Sequence, residues 1–118
     1  METQKAIMAF SQSEKIKAGI IWLSQSIELM DGLSSSEGQS GQKIIQALAN
    51  MIFQEIQLAK SIVDNERWEA AEKGIDQAIV MINSGVGTES IMHLTQALSQ
   101  VTSIGQNTMT YLQDHGLL

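Results

Sequence analysis

The sequence predicts an all-α protein, an antiparallel up-and-down four-helix bundle. No proline occurs among the 118 residues, and apolar residues recur at the helical period of 3.6 along almost the whole chain. Short segments rich in Gly and Ser separate four such periodic stretches. We expect residues 1–118 to form one helical domain, because each helix has an apolar side that must be buried against the others.

Helix 1 is expected to begin near Ser11 and to run to about Asp31. Ser11 and Glu14 have the spacing of a capping box, and Gly32 follows as a stop. An extension back to Thr3 stays open, because the first ten residues are poorly patterned. Its inward stripe has the alternating spacing of a bundle seam and consists of Ile16, Ile20, Leu23, Ile27 and Met30.

Residues 32–41 are rich in Gly and Ser and predict a flexible loop. Helix 2 then runs from about Gln42 to Val63, with a main stripe of Ile45, Leu48, Ile52, Ile56, Ala59 and Val63. An adjacent row consists of Ile44, Met51 and Leu58. This wide apolar arc predicts contact with two neighbouring helices, so helix 2 is expected to be the most buried.

Glu55 is a carboxylate inside this apolar arc. Because an unpaired buried carboxylate is costly, we expect it to pair with a lysine, to lie at the edge of the bundle, or to mark a groove or interface. A catalytic role is not predicted, since general acid–base chemistry needs a cleft and a second polar partner.

Asp64 or Asn65 is expected to cap helix 3, which runs to about Asn83. The very short connection favours an antiparallel hairpin of helices 2 and 3, with one long bent helix as the alternative. The inward residues of helix 3 are Trp68, Ala71, Ile75, Ala78, Ile79 and Ile82.

Thr88 is expected to cap helix 4, which ends at His115 with Gly116 in the C′ position. Its main stripe consists of Ile91, Leu94, Leu98, Val101, Gly105, Thr108 and Leu112, and a second row of Ala97, Ile104 and Tyr111. Gly74 and Gly105 lie inside helices, where glycine is unfavourable, so we expect them to permit close helix approach.

Helix 4 has no charged side chain between Ser90 and Gln113, although the rest of the chain holds all 20 of them. Protein interfaces are depleted in charge at their centres, so this helix is expected to be covered by a protein partner or by a second copy. The candidate contact residues are Thr95, Ser99, Thr102 and Ser103 on helix 4 and Trp22 and Leu29 on a second row of helix 1.

Composition excludes several other function classes. The net charge of −6 and the scattered seven Lys and Arg residues argue against nucleic acids and anionic membranes. The absence of cysteine excludes thiol catalysis and cysteine metal sites. No apolar run reaches the ~20 residues of a membrane span, and no signal-peptide core is present, so we expect a cytoplasmic protein. We also expect no cofactor, no metal and no small-molecule substrate.

His93 offers an alternative function. It is the only histidine inside a predicted helix and is expected to be accessible, about 120° from the core stripe. Histidine phosphotransfer domains are four-helix bundles with such an exposed histidine, usually followed by a Lys and a Gly within the next turn. Gln96 stands where that lysine would be expected.

A family resemblance lies in residues 42–116. The run Leu58–Ala71, Leu-Ala-Lys-Ser-Ile-Val-Asp-Asn-Glu-Arg-Trp-Glu-Ala-Ala, continued to Ile82, resembles the middle of bacterial flagellin export chaperones. The resemblance implies an acidic antiparallel bundle that holds export cargo as helices along its outer grooves. A tetratricopeptide hairpin is also similar over Ala59–Ala78, but such arrays need about three repeats.

The sequence therefore predicts a non-catalytic helical bundle that binds a protein, as an export-type chaperone or an adaptor for amphipathic helices. Two alternatives remain. One is phosphoryl transfer through His93, and the other is a structural homo-oligomer that pairs through helix 4.

Overall fold

Four α-helices joined by short segments form the structure, a computed structural model that describes residues 2–118 apart from the side chain of Ser35. The helices are α1, Thr3–Met30; α2, Ser35–Ile62; α3, Glu66–Asn83; and α4, Ile91–Asp114. Helix α1 packs against α2 and α4, and α3 packs against the same two helices. The predicted four-helix bundle is confirmed.

The helices alternate in direction around a square. The end of α3 lies beside the start of α2, where Gln42 Nε2 donates to the Ile82 carbonyl at 2.8 Å. The start of α1 lies beside the end of α4, where the hydroxyl oxygens of Thr3 and Tyr111 are 3.4 Å apart. The bundle is elongated, with extents of 53 × 21 × 19 Å.

Helix α1 begins at Thr3, the extension that the sequence left open, and the expected start at Ser11 lies inside the helix. The seam continues backwards at the same alternating spacing through three small residues, Ala6, Ala9 and Ser13, which are all buried. Small residues let α1 lie close to α4 but give little apolar signal in the sequence. The predicted capping box at Ser11 and Glu14 was therefore wrong.

The predicted loop over residues 32–41 was also wrong in its extent, because α2 already begins at Ser35. Ser34 is the N-cap, and its Oγ accepts from the Glu37 backbone N–H at 3.3 Å. The same hydroxyl donates to the Glu37 carboxylate at 2.6 Å. This capping pair starts a helix inside a Gly- and Ser-rich segment, since an N-cap serine satisfies a backbone donor that the first turn leaves free.

The connection between α2 and α3 is a tight turn, so the hairpin is confirmed and the single bent helix is excluded. Asn65 is the N-cap of α3, and its side-chain oxygen accepts from the Arg67 backbone N–H at 2.8 Å. The acidic residues Glu66 and Glu69 follow in the first turn, where they complement the helix dipole.

The start of α4 differs from the prediction. A short 3₁₀-helix over Gly87–Ser90 leads directly into α4, so Thr88 does not cap it. Ser90 is buried, and its hydroxyl donates to the Gly87 carbonyl. At the other end, His115 is the C-cap and Gly116 has φ of +71°, as predicted for a C′ glycine.

The core consists of one side of each helix. On α4 the second predicted row contributes more than expected, because Ala97 and Ile104 are fully buried while Ile91 and Leu98 are only partly buried. Helix α2 is not buried on both predicted rows. It contacts two neighbours, α1 and α3, as predicted. Its main stripe faces the core, but Ile44, Met51 and Leu58 are exposed, so the prediction that helix 2 is the most buried was wrong.

Gly74 and Gly105 stand at close contacts between helices, as predicted. A Cβ atom on Gly74 would lie 3.1 Å from both the His93 carbonyl oxygen and the Ala97 Cβ. A Cβ atom on Gly105 would lie 3.0 Å from Ser13 Oγ. An added Cβ is harder to accommodate at the α3–α4 contact than at the α1–α4 contact, because the His93 carbonyl oxygen belongs to the backbone and Ser13 Oγ belongs to a side chain.

We expect Gly74→Ala to destabilise the fold by about 1–3 kcal/mol, because α3 and α4 must separate and this outweighs the gain in helix propensity. The matched control is Gly38→Ala in α2, where no atom lies within 4 Å of the added Cβ. That change should stabilise the protein by up to about 1 kcal/mol. Urea unfolding followed by circular dichroism measures both. Equal stabilisation by the two substitutions would contradict the close contact.

Candidate protein-binding site

A second apolar row runs along the outside of both α1 and α2. On α1 it includes Trp22 and Leu29, which are seven residues apart, and on α2 Ile44, Met51 and Leu58 repeat at the same interval. Residues seven apart lie on the same side of a helix, two turns along. We call these five side chains the α1–α2 outer face.

The α1–α2 outer face is highly exposed for its composition. Trp22 is 64% exposed, Leu29 75%, Ile44 70%, Met51 60% and Leu58 50%. On side chains of about 150–250 Å² each, these fractions leave roughly 600 Å² of apolar surface. The largest apolar patch of a typical monomer is about 300–600 Å², and patches at the upper end mark interaction sites.

A groove of about 300 Å³ lies between the two helices at the centre of this face. Gly19 and Ile52 form its floor, with 3.3 Å between Ile52 Cγ1 and the position of a Cβ on Gly19. Trp22, Leu48 and Met51 line its walls. The glycine opens the groove, since any larger residue there would fill the space between the helices.

An ion pair closes one end of the groove. Lys15 Nζ lies 3.0 Å from Glu55 Oε1, and Gln12 Nε2 donates to Glu55 Oε2 at 3.2 Å. The hydrogen bonds from Lys15 and then from Gln12 lower the pKa of Glu55 below its usual value. The carboxylate lies at the edge of the bundle and is paired with a lysine, as the sequence predicted.

The sequence identified only part of this face. Trp22 and Leu29 were predicted as exposed anchors, and they are exposed. The α2 row of Ile44, Met51 and Leu58 was assigned to a helix contact because apolar spacing alone does not say which of two adjacent rows is buried. Glu55 has four-three spacing with either row, so no signal in the sequence separates them.

The predicted contact residues of α4 lie elsewhere. Thr95 and Ser99 are exposed, and Thr102 and Ser103 are partly exposed. Thr102 lines a cleft of about 270 Å³ between α1 and α4, together with Glu14 and Lys17. This cleft shares no lining residue with the α1–α2 groove, so the structure does not unite the two predicted surfaces into one site.

His93 is partly buried and lines a cleft between α3 and α4. Its Nδ1 is buried and has no hydrogen-bond partner in the described part of the chain. Lys73 of α3 lines the same cleft. The histidine is thus less accessible than the sequence predicted, and phosphoryl transfer through it stays a prediction.

Other large apolar side chains are exposed outside the α1–α2 outer face, including Ile7, Val80 and Met92. Another cleft, of about 610 Å³, is lined by Asn65, Glu66, Arg67, Ala70 and Gln100. Among the described residues, no three acidic or histidine side chains cluster as metal ligands would. None of the described helices combines the length and apolar character that crossing a membrane requires.

Comparison of the chain with family models, with curated proteins and with solved structures finds no match. The resemblance to flagellin export chaperones therefore stays a prediction. The functional conclusions below rest on the contacts and exposure of this chain's own residues.

The lowered pKa of Glu55 has a consequence for stability. A carboxylate with a depressed folded pKa stabilises the protein above its unfolded pKa, and that contribution is lost as pH falls through the folded value. Because Lys15 is 61% exposed, we expect Glu55→Gln to cost less than about 1 kcal/mol at neutral pH. Below about pH 4 the difference should shrink.

Urea unfolding at several pH values measures this effect, with Asp76→Asn on the exposed side of α3 as the control. A difference between wild type and Glu55→Gln that stays constant down to acid pH would show that the ion pair does not set the pKa of Glu55.

Proposed function

We propose that this protein is a non-catalytic helical bundle that binds apolar or amphipathic helices through the α1–α2 outer face. One observation carries the proposal. Trp22 and Met51, both more than half exposed, line a groove between two antiparallel helices, and three further exposed apolar side chains continue their rows at heptad spacing. Burial of apolar area is the main favourable term in most protein association, and a ridge-lined groove is the shape that accepts a helix.

The character of the face supports protein binding over other functions. Trp22 is a large amphipathic side chain beside a groove, which is typical of an energetically dominant contact. Met51 adds an adaptable side chain that can pack against varied partners. The charged residues that line the groove, Lys15 and Glu55, neutralise each other, so an apolar helix in the groove meets no uncompensated charge there.

We place the protein in the cytoplasm, as an adaptor or export-type chaperone. The predicted contact row of α4 is not part of the proposed binding surface, because it is polar and less suited to a desolvated contact. Thr95, for instance, donates its hydroxyl to its own helix, to the Ile91 carbonyl at 2.9 Å.

A labelled three-heptad amphipathic peptide with Leu at its a and d positions tests the proposal. We expect the wild-type protein to raise its fluorescence anisotropy, and Met51→Glu to weaken binding by at least tenfold, since a charge in the groove must be desolvated. The matched control is Val80→Glu, which changes a 56% exposed apolar residue on the outer side of α3.

Helical circular dichroism should be the same in wild type and both variants, because each substituted side chain is more than half exposed. Equal weakening by Met51→Glu and Val80→Glu, or no binding by the wild type at concentrations where it is monomeric, would overturn the proposal.

A further inference from the structure

The α1–α2 outer face is complementary to itself. It carries a protruding side chain, Trp22, next to a groove lined by Gly19, Leu48 and Met51. It also carries one basic and one acidic group, Lys15 and Glu55. The side chain and the groove are complementary in shape, and the two groups are complementary in charge. A surface that carries both members of each pair can bind the same surface of a second copy of the chain.

We propose that the helices that occupy this face are α1 and α2 of a second copy, related by a two-fold axis parallel to the helices. This inference rests on the proposed function, since it names the occupant of the same face. In the resulting dimer, α1 of each copy lies antiparallel against α2 of the other, and both grooves are covered.

Charge selects the direction of the axis. Lys15 and Glu55 lie at the same level of the bundle, one on each helix, because their side chains touch. A parallel axis preserves that level and places Lys15 across from Glu55 of the second copy. A perpendicular axis within the interface places α1 against α1, so like residues approach one another near the axis. Opposite charges across an interface favour the first arrangement.

The same parallel axis also matches shape. Leu48 and Met51 line one groove with Trp22, so they lie at its level. With the parallel axis, Trp22 of each copy meets the Leu48 and Met51 wall of the other. Heptad spacing on both helices then lets the side chains of the two copies interdigitate as in a coiled coil.

The available area is sufficient for such a dimer. The five side chains expose roughly 600 Å² of apolar surface, and the polar rim around them adds to it, against about 800 Å² per partner in a standard interface. The outer side of α3 offers no comparable surface. There Val80 is exposed on the same side of the helix as the charged residues Lys73 and Asp76.

Light scattering on the intact chain over a hundredfold concentration range tests the occupant. We expect twice the chain mass of 12.9 kDa at the upper concentrations, loss of the dimer in Met51→Glu, and its retention in Val80→Glu. If the wild type stays monomeric but binds the heptad peptide, the proposed dimer is wrong and the proposed helix-binding function is not contradicted. A monomer that binds no peptide would overturn both.

A dimer that survives Met51→Glu but dissociates on Ser99→Arg would place the contact on α4 and also overturn the proposal. Ser99 is exposed on the uncharged side of that helix, so the substitution leaves the core unchanged.

Cross-linking tests the axis. The chain has no cysteine, so Leu29→Cys and Ile44→Cys each introduce a single thiol. Both positions lie at the end of the bundle where Met30 of α1 packs beside Gly41 of α2. With a short bis-maleimide, a mixture of the two variants should give a covalent dimer linking position 29 to position 44. Absence of that link in a sample shown to be dimeric would rule out the parallel axis.

Discussion

Each helix of a square four-helix bundle has one side to bury, and α1 and α2 carry apolar side chains on more than one side. The helix contacts all run around the square, from α1 to α2, α3, α4 and back. In that arrangement the inward stripe of α2, including Ile45, Ile52 and Ile56, fills the core. The second row has no neighbour within the described chain, so it remains on the surface, and this is where we propose that the molecule binds.

The two sides of the square that α4 forms are packed by small residues. Helix α4 meets α1 through Gly105 and Ser13, and it meets α3 through Gly74 and Ala97. Small residues at these contacts leave no room for additional apolar side chains. Between α1 and α2, Gly19 also lies close to its partner helix, but there the exposed Trp22 and Met51 line a groove beside it. The proposed binding surface thus lies where the packing leaves this groove.

The fold class, the four helices and the turn at Asn65 were predictable, because the apolar period and the capping residues are local signals. The early start of α1 was not, since its seam continues through Ala6, Ala9 and Ser13, whose burial depends on α4 lying close. The start of α2 at Ser35 was hidden in a Gly- and Ser-rich segment, although the Ser34 and Glu37 pair has the spacing of a capping box. Trp22 and Leu29 were predictable as anchors. The exposure of the α2 row was not, because two adjacent heptad rows look alike until the tertiary contacts are known.

If a second copy covers the α1–α2 outer face, as we propose, Trp22 becomes inaccessible to solvent in the dimer, and its accessibility can be measured. The chain has two tryptophans, and Trp68 is fully buried, so acrylamide quenching of the fluorescence reports on Trp22. We expect the quenchable share of the wild-type signal to fall as protein concentration rises, and to stay high at all concentrations in Met51→Glu. A Trp22 signal that remains fully quenchable in the concentrated wild-type protein would contradict the claim.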